Sequence, residues 1–432
     1  MIDETSIQVG QEMHRFIADL FPICRSITGD GVRDTLCLIG KHIPVEIHEI
    51  PSGTKVFDWI VPKEWNIRDA YIKNTKGERI VDFKKSNLHV VSYSQPIQRK
   101  MAFGELQSHL YTFPDRPDWI PYRTSYYKES WGFCLSHQQF KELMDEEYEV
   151  CIDSTFEEGH LTYGECYLRG ETTQEILISC HICHPSLCND NLSGIALSTF
   201  LAKALSLESL RYSYRFLFIP GTIGSIAWLA LHEGQVSNIK SGMVVTGVGD
   251  PGAMTYKKSR QGNAEIDRAF SHILKASGKK HSIIDFFPYG YDERQYCSPG
   301  FNLPVGCFMR TPHGEYIEYH TSGDNLTFVR PEYLEESFIC CLEVLTLLER
   351  NKTFLSQNPK CEPQLGKRGL YRAIGGESEG AKREMAMLWV LNLSDGNHSL
   401  LEIAERSTIS FDVVYKAADV LSEHGLLKEV TC

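Results

Sequence analysis

Short apolar runs and longer amphipathic stretches alternate in the part of the chain after Tyr148. The runs are five or six residues long and typical of buried strands: 176–180, 214–219, 243–248 and 305–309. Apolar residues recur at helical spacing over 193–205, 225–231, 264–276 and 331–348. This alternation predicts an α/β fold in which a mainly parallel mixed sheet is sandwiched by helices.

The region before Tyr148 has two different patterns. Apolar residues from Gln11 to Ile39 recur at helical spacing on either side of a turn, which predicts two helices. From Pro51 to Ser136 the apolar runs become short and β-like, at 70–72, 88–93 and 110–113. We therefore predict that 49–144 form a small β-rich domain inserted into a discontinuous α/β domain, which consists of 1–48 and 145–355.

The C-terminal region follows a polar stretch at 351–369 that is typical of a linker. Helical patterns at 384–393, 399–406 and 410–424 precede Gly425, a candidate helix cap, and a candidate strand at 426–430. Three short helices followed by a strand predict a winged helix, which we place at 366–432.

The charge of this winged helix argues against DNA binding. From 368 to 432 there are seven Lys and Arg residues against ten Asp and Glu residues. The candidate recognition helix, 410–424, carries Lys416 against three acidic residues, so it would repel phosphate. A protein-contact or intramolecular docking role is the better prediction.

Composition and net charge narrow the class of protein. With 42% hydrophobic and 23% charged residues, the 432-residue chain has the composition of a globular protein. The net charge of −12 disfavours nucleic acid and anionic membranes as partners. The N-terminal residues lack a secretory-signal pattern, and no apolar run approaches the roughly 20 residues of a membrane span. We therefore expect a cytoplasmic enzyme with 14 reduced cysteines, and assembly into a homo-oligomer is left open.

Candidate metal ligands lie at one edge of the predicted sheet. His181 directly follows the strand 176–180, and Asp190 lies in the polar turn before the next helix. His320 follows the strand 305–309 at the same topological level. Imidazole and carboxylate suit zinc in catalytic sites, and ligands bind beyond the carboxyl ends of parallel strands. The pattern predicts a zinc-dependent hydrolase.

At these positions the sequence resembles the zinc-dependent aminopeptidases of leucine-aminopeptidase type. The strand that ends in His181, the turn 189–194 (NDNLSG) and the motif 319–321 (YHT) match elements of that family, and the resemblance spans about 145–350. It is closest to the bacterial aminopeptidase-like branch that carries an inserted β domain and a C-terminal winged helix. The resemblance implies a zinc exopeptidase-like fold and one or two zinc ions bound by His181, His320 and a bridging Asp190.

The sequence departs from the family pattern at two points. Cys183 stands where the family has an aspartate that orients the ligand histidine, so His184 is a candidate replacement and a candidate further ligand. Gly221 and Thr222 stand where the family has two glutamates, of which one is a general base and one a ligand. The dinuclear mechanism of the family therefore does not carry over intact: another carboxylate serves, or the site holds one zinc ion, or the chemistry has changed.

Other side chains are candidates for those roles. Glu293, in the charged cluster 291–296, is the candidate general base, and Tyr319, beside His320, is the candidate hydrogen-bond donor to an oxyanion. Asp250, just after the strand 243–248, is a candidate additional ligand or, alternatively, a turn former.

Three further residues are candidates for binding substrate: Asp292, Arg294 and Arg25. Arg25 can bind a carboxylate through its guanidinium fork or form a structural salt bridge, and Asp292 and Arg294 could instead belong to a solvated turn. Cys180 and Cys183 have the spacing of a zinc knuckle, but no second ligand pair follows them.

The predicted function is an aminopeptidase that cleaves the N-terminal residue of a peptide or a small aminoacyl amide. A small-metabolite amidohydrolase or deacylase would use the same metal site without a free α-amine. A peptidase fold that has lost its base and acts as a binding or scaffold protein is the third alternative.

Overall fold

The structure is a computed structural model that describes residues 4–144, 146–370 and 378–430. The chain divides into two compact units, Met1–Asp267 with Lys280–Cys341, and Arg268–Lys279 with Leu342–Cys432. The predicted domain boundary at 145, and 371–377 and 431–432 of the predicted winged helix, lie outside the described residues.

The strands follow one another along the described chain as β1 (Glu46–Pro51), β2 (Lys55–Val56), β3 (Trp59–Ile60), β4 (Glu64–Lys73), β5 (Arg79–Asp82), β6 (Ile97–Ala102), β7 (Leu110–Tyr111), β8 (Phe133–Cys134), β9 (Glu147–Glu157), β10 (His160–Leu168), β11 (Glu175–His181), β12 (Ser213–Ile219), β13 (Ile239–Val245), β14 (Met254–Lys257), β15 (His281–Ile284), β16 (Val305–Met309), β17 (Thr353–Ser356), β18 (Asp395–Ser399) and β19 (Leu427–Glu429). The helices are α1 (Glu4–Leu20), α2 (Asp30–Ile39), α3 (Phe103–Leu106), α4 (His137–Lys141), α5 (Gly194–Leu205), α6 (Ile223–Leu231), α7 (Glu265–Ala276), α8 (Glu293–Tyr296), α9 (Pro331–Arg350), α10 (Ser378–Leu393), α11 (Leu400–Ser407) and α12 (Phe411–Glu423).

An eight-stranded mixed sheet forms the centre of the first unit, in the order β1-β10-β12-β11-β13-β16-β14-β15. The strands β12, β11, β13 and β16 are parallel to one another, and the antiparallel pairs lie on either side of them. Every residue of β11 and β12 is buried, as expected for strands with continuous apolar runs. The predicted α/β class with a mixed sheet is confirmed.

Three strands of the region predicted as an inserted domain form a four-stranded antiparallel sheet with β9, in the order β5-β4-β9-β6. Its own apolar core includes Ile72, Phe133 and Val150. The strand β9 lies beyond the predicted end of the insertion at 144, and the exact domain bounds stay a prediction. The β-like run at 88–93 does not form a continuous strand. The Ser86 hydroxyl accepts the N–H of Leu88 and starts a short helical turn, and Val90 and Ser92 then form isolated bridges.

The second unit contains the C-terminal helices and a small sheet. The helices α10, α11 and α12 pack together beside a three-stranded sheet of order β18-β17-β19, which is the arrangement of a winged helix. Ser399 and Glu402 form a capping box at the start of α11. The strand β17 lies inside the stretch 351–369, so the prediction of a linker there is wrong for these residues. Among the described residues, every helix is too short or too polar to cross a bilayer.

Candidate metal centre

Loops from parallel strands meet at one edge of the central sheet. Because β11, β12, β13 and β16 are parallel, their carboxyl ends lie at the same edge. His181 is the last residue of β11, and the loop 310–324 follows β16. This edge therefore collects side chains that are far apart in the sequence.

Asp190 lies between three imidazoles at this edge. Nε2 of His181 is 2.9 Å from Oδ1 of Asp190, and Nε2 of His320 is 3.0 Å from Oδ2. Nε2 of His184 is 3.9 Å from Oδ2. The side chains of His181, His184 and Asp190 are buried, whereas that of His320 is 33% exposed, so His320 marks the side that solvent reaches.

The ligand atoms of His181, His184 and Asp190 lie within 4.8 Å of one another, which is close enough to hold one zinc ion, and His320 approaches the same carboxylate. Tetrahedral bonds of roughly 2.0–2.1 Å separate ligand atoms by about 3.3 Å, and the three distances to Asp190 lie on either side of that value. Burial lowers the pKa of His184 well below its usual range, so its imidazole is neutral and offers a lone pair. Burial would by itself raise the pKa of Asp190, but the three imidazoles hold it well below its usual range. The donor set is therefore a carboxylate with imidazoles, which is typical of zinc sites.

The turn that carries Asp190 is held by polar side chains. The carboxylate of Asp324 accepts the backbone N–H groups of Asn189, at 2.6 Å, and of Asp190, at 2.9 Å. Burial raises the pKa of Asp324 to about 8. The amide of Asn191 donates to the carbonyl of Val245, at the end of β13. Polar side chains from inside and outside the turn thus bond to backbone groups, which is typical of turns.

Aromatic rings line the cluster on one side. Tyr291 packs on His181 and Tyr319 stacks on His320, each with ring centroids 4.0 Å apart. His313 lies between the two tyrosines, 6.3 Å from Tyr291 and 6.2 Å from Tyr319. Burial raises the pKa of both phenols above their usual range and lowers that of His313. This wall therefore offers two hydroxyl donors and one neutral imidazole.

Tyr291 fills the space beside Gly221, which follows β12. A Cβ on Gly221 would lie 1.9 Å from Cε1 of Tyr291. The Tyr291 hydroxyl is 3.4 Å from Sγ of Cys183, and that thiol is 3.7 Å from the carbonyl oxygen of Gly221. A phenol from another loop thus lies beside the position where the family resemblance implies a glutamate.

Gly221→Ala is expected to lower the free energy of unfolding of the first unit by about 1–3 kcal/mol, the usual cost of overpacking. The added methyl group must displace Tyr291 or the backbone of its own loop. Urea unfolding followed by tryptophan fluorescence measures the loss. Gly104→Ala is the control, because a Cβ there meets nothing within 4 Å. Equal stability of both variants would show that Tyr291 does not restrict position 221.

Glu293, the predicted base, forms an ion pair with Lys257 of β14. Both side chains are buried, and the carboxylate also accepts the N–H of Tyr291 at 3.0 Å. Lys257 donates to the carbonyl of Tyr289 at 2.9 Å. The pair therefore holds the loop that carries Tyr291. The assignment of Glu293 as the base stays a prediction.

The other predicted residues of this region have different surroundings. Asp292 is buried and accepts the Ser225 hydroxyl at 2.8 Å, its Oδ2 has no hydrogen-bond partner among the described residues, and burial raises its pKa to about 7. Arg294 is exposed. Asp250 accepts the Thr311 hydroxyl at 2.5 Å and is not part of the group formed by His181, His184 and Asp190. Ligand or substrate roles for these residues stay predictions.

Arg25, predicted to bind substrate, is fully buried. Its Nε donates to the carbonyl of His184 at 2.9 Å, and its Nη1 donates to the carbonyl of Leu20 at 2.8 Å. Its Nη2 has no hydrogen-bond partner among the described residues. Burial lowers the pKa of Arg25 to about 10, so the guanidinium is charged at neutral pH. Arg25 thus holds the backbone of a candidate ligand, and its role in substrate binding stays a prediction.

The sequence reasoning missed three residues of the site: Tyr122, Tyr291 and His313. His313 could have been found, because it follows β16 at the sheet edge just as His181 ends β11. Tyr122 and Tyr291 lie in loops whose approach to the cluster depends on tertiary packing. No local pattern in the sequence indicates that approach.

Family models match both parts of the chain. A model described as a domain of unknown function (DUF4910) matches residues 14–351, and a model of a winged helix-turn-helix matches residues 352–429. The predicted C-terminal winged helix is thereby confirmed. A protein of Clostridium acetobutylicum, provisionally named a polysaccharide biosynthesis protein with an aminopeptidase-like domain, is 56% identical over 427 residues. The match covers 99% of this chain and 98% of that protein.

Solved structures share the fold. The crystal structure of a provisionally named peptidase from Clostridium acetobutylicum superposes with a TM-score of 0.94 at 54% identity, over 99% of this chain and 98% of the other. BSAP, a zinc aminopeptidase from Bacillus subtilis, superposes with a TM-score of 0.58 at 11% identity, over 78% of this chain and 94% of the other. At that identity the second likeness shows the fold alone, which is aminopeptidase-like.

Proposed function

The chain belongs to the family described as a domain of unknown function (DUF4910), and we propose that it is a zinc-dependent hydrolase of amide bonds, acting as an aminopeptidase. The observation that carries the proposal is the position of Asp190 between the imidazoles of His181, His184 and His320. The names of the relatives support it, because BSAP is a zinc aminopeptidase. The finer assignment to the leucine-aminopeptidase type rests on the motif resemblance.

We propose one zinc ion per chain, held by His181, Asp190 and His320 with His184 beside them. A second ion would need further carboxylates, and two of the neighbouring ones already have partners. Asp324 accepts two backbone N–H groups, and Glu293 is paired with Lys257. Zinc bound here would supply Lewis acidity toward a carbonyl group and a water of lowered pKa.

Residues around the cluster are candidates for two further functions, which are hydrogen bonding to an oxyanion and proton transfer. Tyr319 and Tyr291 are protonated phenols beside the ligands, so each can donate a hydrogen bond to an oxyanion. His313 is a neutral imidazole whose Nε2 lies 3.2 Å from the Thr246 hydroxyl, which orients its ring. We propose that His313 transfers the proton, with the predicted base Glu293 as the alternative, because Glu293 forms a buried ion pair with Lys257.

A second candidate function is the removal of an acyl group from a small saccharide or other metabolite. An aminopeptidase binds the substrate's ammonium with a carboxylate, yet those of Asp250, Asp324 and Glu293 already have donors. Asp292 has an oxygen without a partner among the described residues, but its side chain is buried. The provisional name of the Clostridium acetobutylicum relative, which refers to polysaccharide biosynthesis, also favours this candidate. Every described cysteine is a free thiol, which fits the cytoplasmic location that we propose for either function.

A matched substrate panel distinguishes the candidates. We expect aminoacyl anilides with a free α-amine to be hydrolysed, and their N-acetylated analogues to be hydrolysed more slowly. Turnover of the N-acylated compounds alone, including N-acetylated sugars, would replace the aminopeptidase assignment by deacylation. Bound zinc without turnover across the whole panel would favour a binding or scaffold protein.

A further inference from the structure

Residues 119–122, here called the anchor segment, belong to the inserted region and are bonded to the loop that carries His320. The N–H of Tyr122 donates to the carbonyl of His320 at 2.8 Å, and the N–H of Ser322 donates to the carbonyl of Ile120 at 2.9 Å. The N–H of Ile120 in turn donates to the hydroxyl of Ser322 at 2.9 Å. The two segments thus pair like short antiparallel strands, with one isolated bridge between them.

The ring of Tyr122 contacts two of the candidate ligands. Its centroid lies 5.1 Å from the ring of His184 and 5.1 Å from that of His320, and it meets His320 edge-on. The residue is 6% exposed, and its hydroxyl lies 3.2 Å from that of Tyr126. Tyr122 therefore packs against two imidazoles that belong to different loops.

His320 needs such support more than the other candidate ligands do. It is the most exposed of the three histidines, with 33% of its side chain accessible. Its backbone has a φ of +53°, a conformation that residues other than glycine rarely adopt. Surrounding contacts have to maintain this conformation. The bonds from the anchor segment reach both His320 itself and Ser322, two residues later.

We infer that the inserted region completes the metal centre, and that Tyr122 is a positioning residue which holds His320 at its distance from His184 and Asp190. The inference rests on the metal site of the proposed function, but not on hydrolysis. It gives the inserted region a role in metal affinity.

Variants of the full chain test this role by metal binding. We expect Tyr122→Ala to lower zinc affinity about 10–100-fold, the range for residues that orient a ligand, and to change the visible spectrum of the Co²⁺-loaded protein. Tyr122→Phe keeps the ring and should leave both unchanged. Ser322→Ala removes the hydroxyl that accepts the N–H of Ile120 and should cause a smaller loss of zinc affinity. Tyr127→Ala, at an exposed tyrosine of the same region, is the matched control.

A double-mutant cycle with His320→Ala separates positioning from general stability. If Tyr122 acts through His320, Tyr122→Ala adds little to the loss of zinc affinity caused by His320→Ala. Additive losses, or a Tyr122→Ala variant with the affinity and cobalt spectrum of the unmodified chain, would overturn the inference. If Tyr122→Ala misfolds by circular dichroism, Ser322→Ala in the same cycle decides the question.

The two proposals fail in different ways. An unmodified chain that binds no zinc would overturn both the metal centre and the role of the anchor segment. A chain that binds zinc and hydrolyses nothing would overturn the proposed function, while the affinities of the Tyr122 and Ser322 variants would still decide the inference.

Discussion

Asp190→Asn is expected to abolish zinc binding and hydrolysis together. Asparagine keeps the shape of the side chain, but it removes the negative charge among three imidazoles and replaces one ligand oxygen by an NH₂ group that cannot bind a metal. Loss of residues outside the ligand set lowers metal affinity roughly 10–100-fold, so the loss of a charged central ligand should exceed that range. Zinc per chain after dialysis, and turnover of the best substrate of the panel, measure the two effects.

Asp153→Asn is the matched control for this variant. Asp153 is partly exposed and pairs with Arg68 in the inserted region, with its two oxygens 2.7 Å and 3.0 Å from the guanidinium. We expect zinc content and turnover to be unchanged there, because an exposed ion pair contributes little. If the Asp190→Asn protein keeps one zinc ion with unchanged affinity, Asp190 is not the centre of the site and the hydrolase proposal loses its basis.

The central sheet was predictable because its strands are buried on both faces. In β11 and β12 every residue is buried, so the apolar runs at 176–180 and 214–219 reveal them directly. The inserted region gave a weaker signal. The run 88–93 is rich in β-formers, but Ser86 caps a helical turn at its start, and isolated bridges at Val90 and Ser92 replace a continuous strand.

The sequence could predict only those site residues whose position follows from the topology of the sheet. His181 and His320 each follow a strand of the parallel part of the sheet, and the structure brings both to Asp190. The environment of Glu293 could not be inferred, because its partner Lys257 lies in the strand β14, 36 positions earlier in the sequence. Tyr291 likewise reaches Gly221 across 70 positions. Contacts of this kind depend on packing between loops, which hydrophobic periodicity does not encode.

His313→Gln is expected to lower kcat by about 10²–10⁴-fold, the usual contribution of a general acid–base group, while zinc content stays at the level of the unmodified chain. Glutamine can still bond to the Thr246 hydroxyl, but it cannot accept and release a proton near neutral pH. Turnover measured together with zinc content tests the expectation. His424→Gln, at an exposed histidine of the second unit, is the control.

The pKa of His313 determines the direction in which kcat should change with pH. Burial lowers the pKa of His313, so its imidazole takes up a proton only below the usual value of about 6.5. A base must be unprotonated to work, so kcat should rise with pH along an acidic limb below that value and then become level. In His313→Gln this limb should disappear from the residual activity. Because metal affinity depends on pH, zinc content has to be measured at each pH. A limb that persists in His313→Gln at constant zinc content would assign the proton transfer to another group, and Glu293→Gln would then be the next variant to examine.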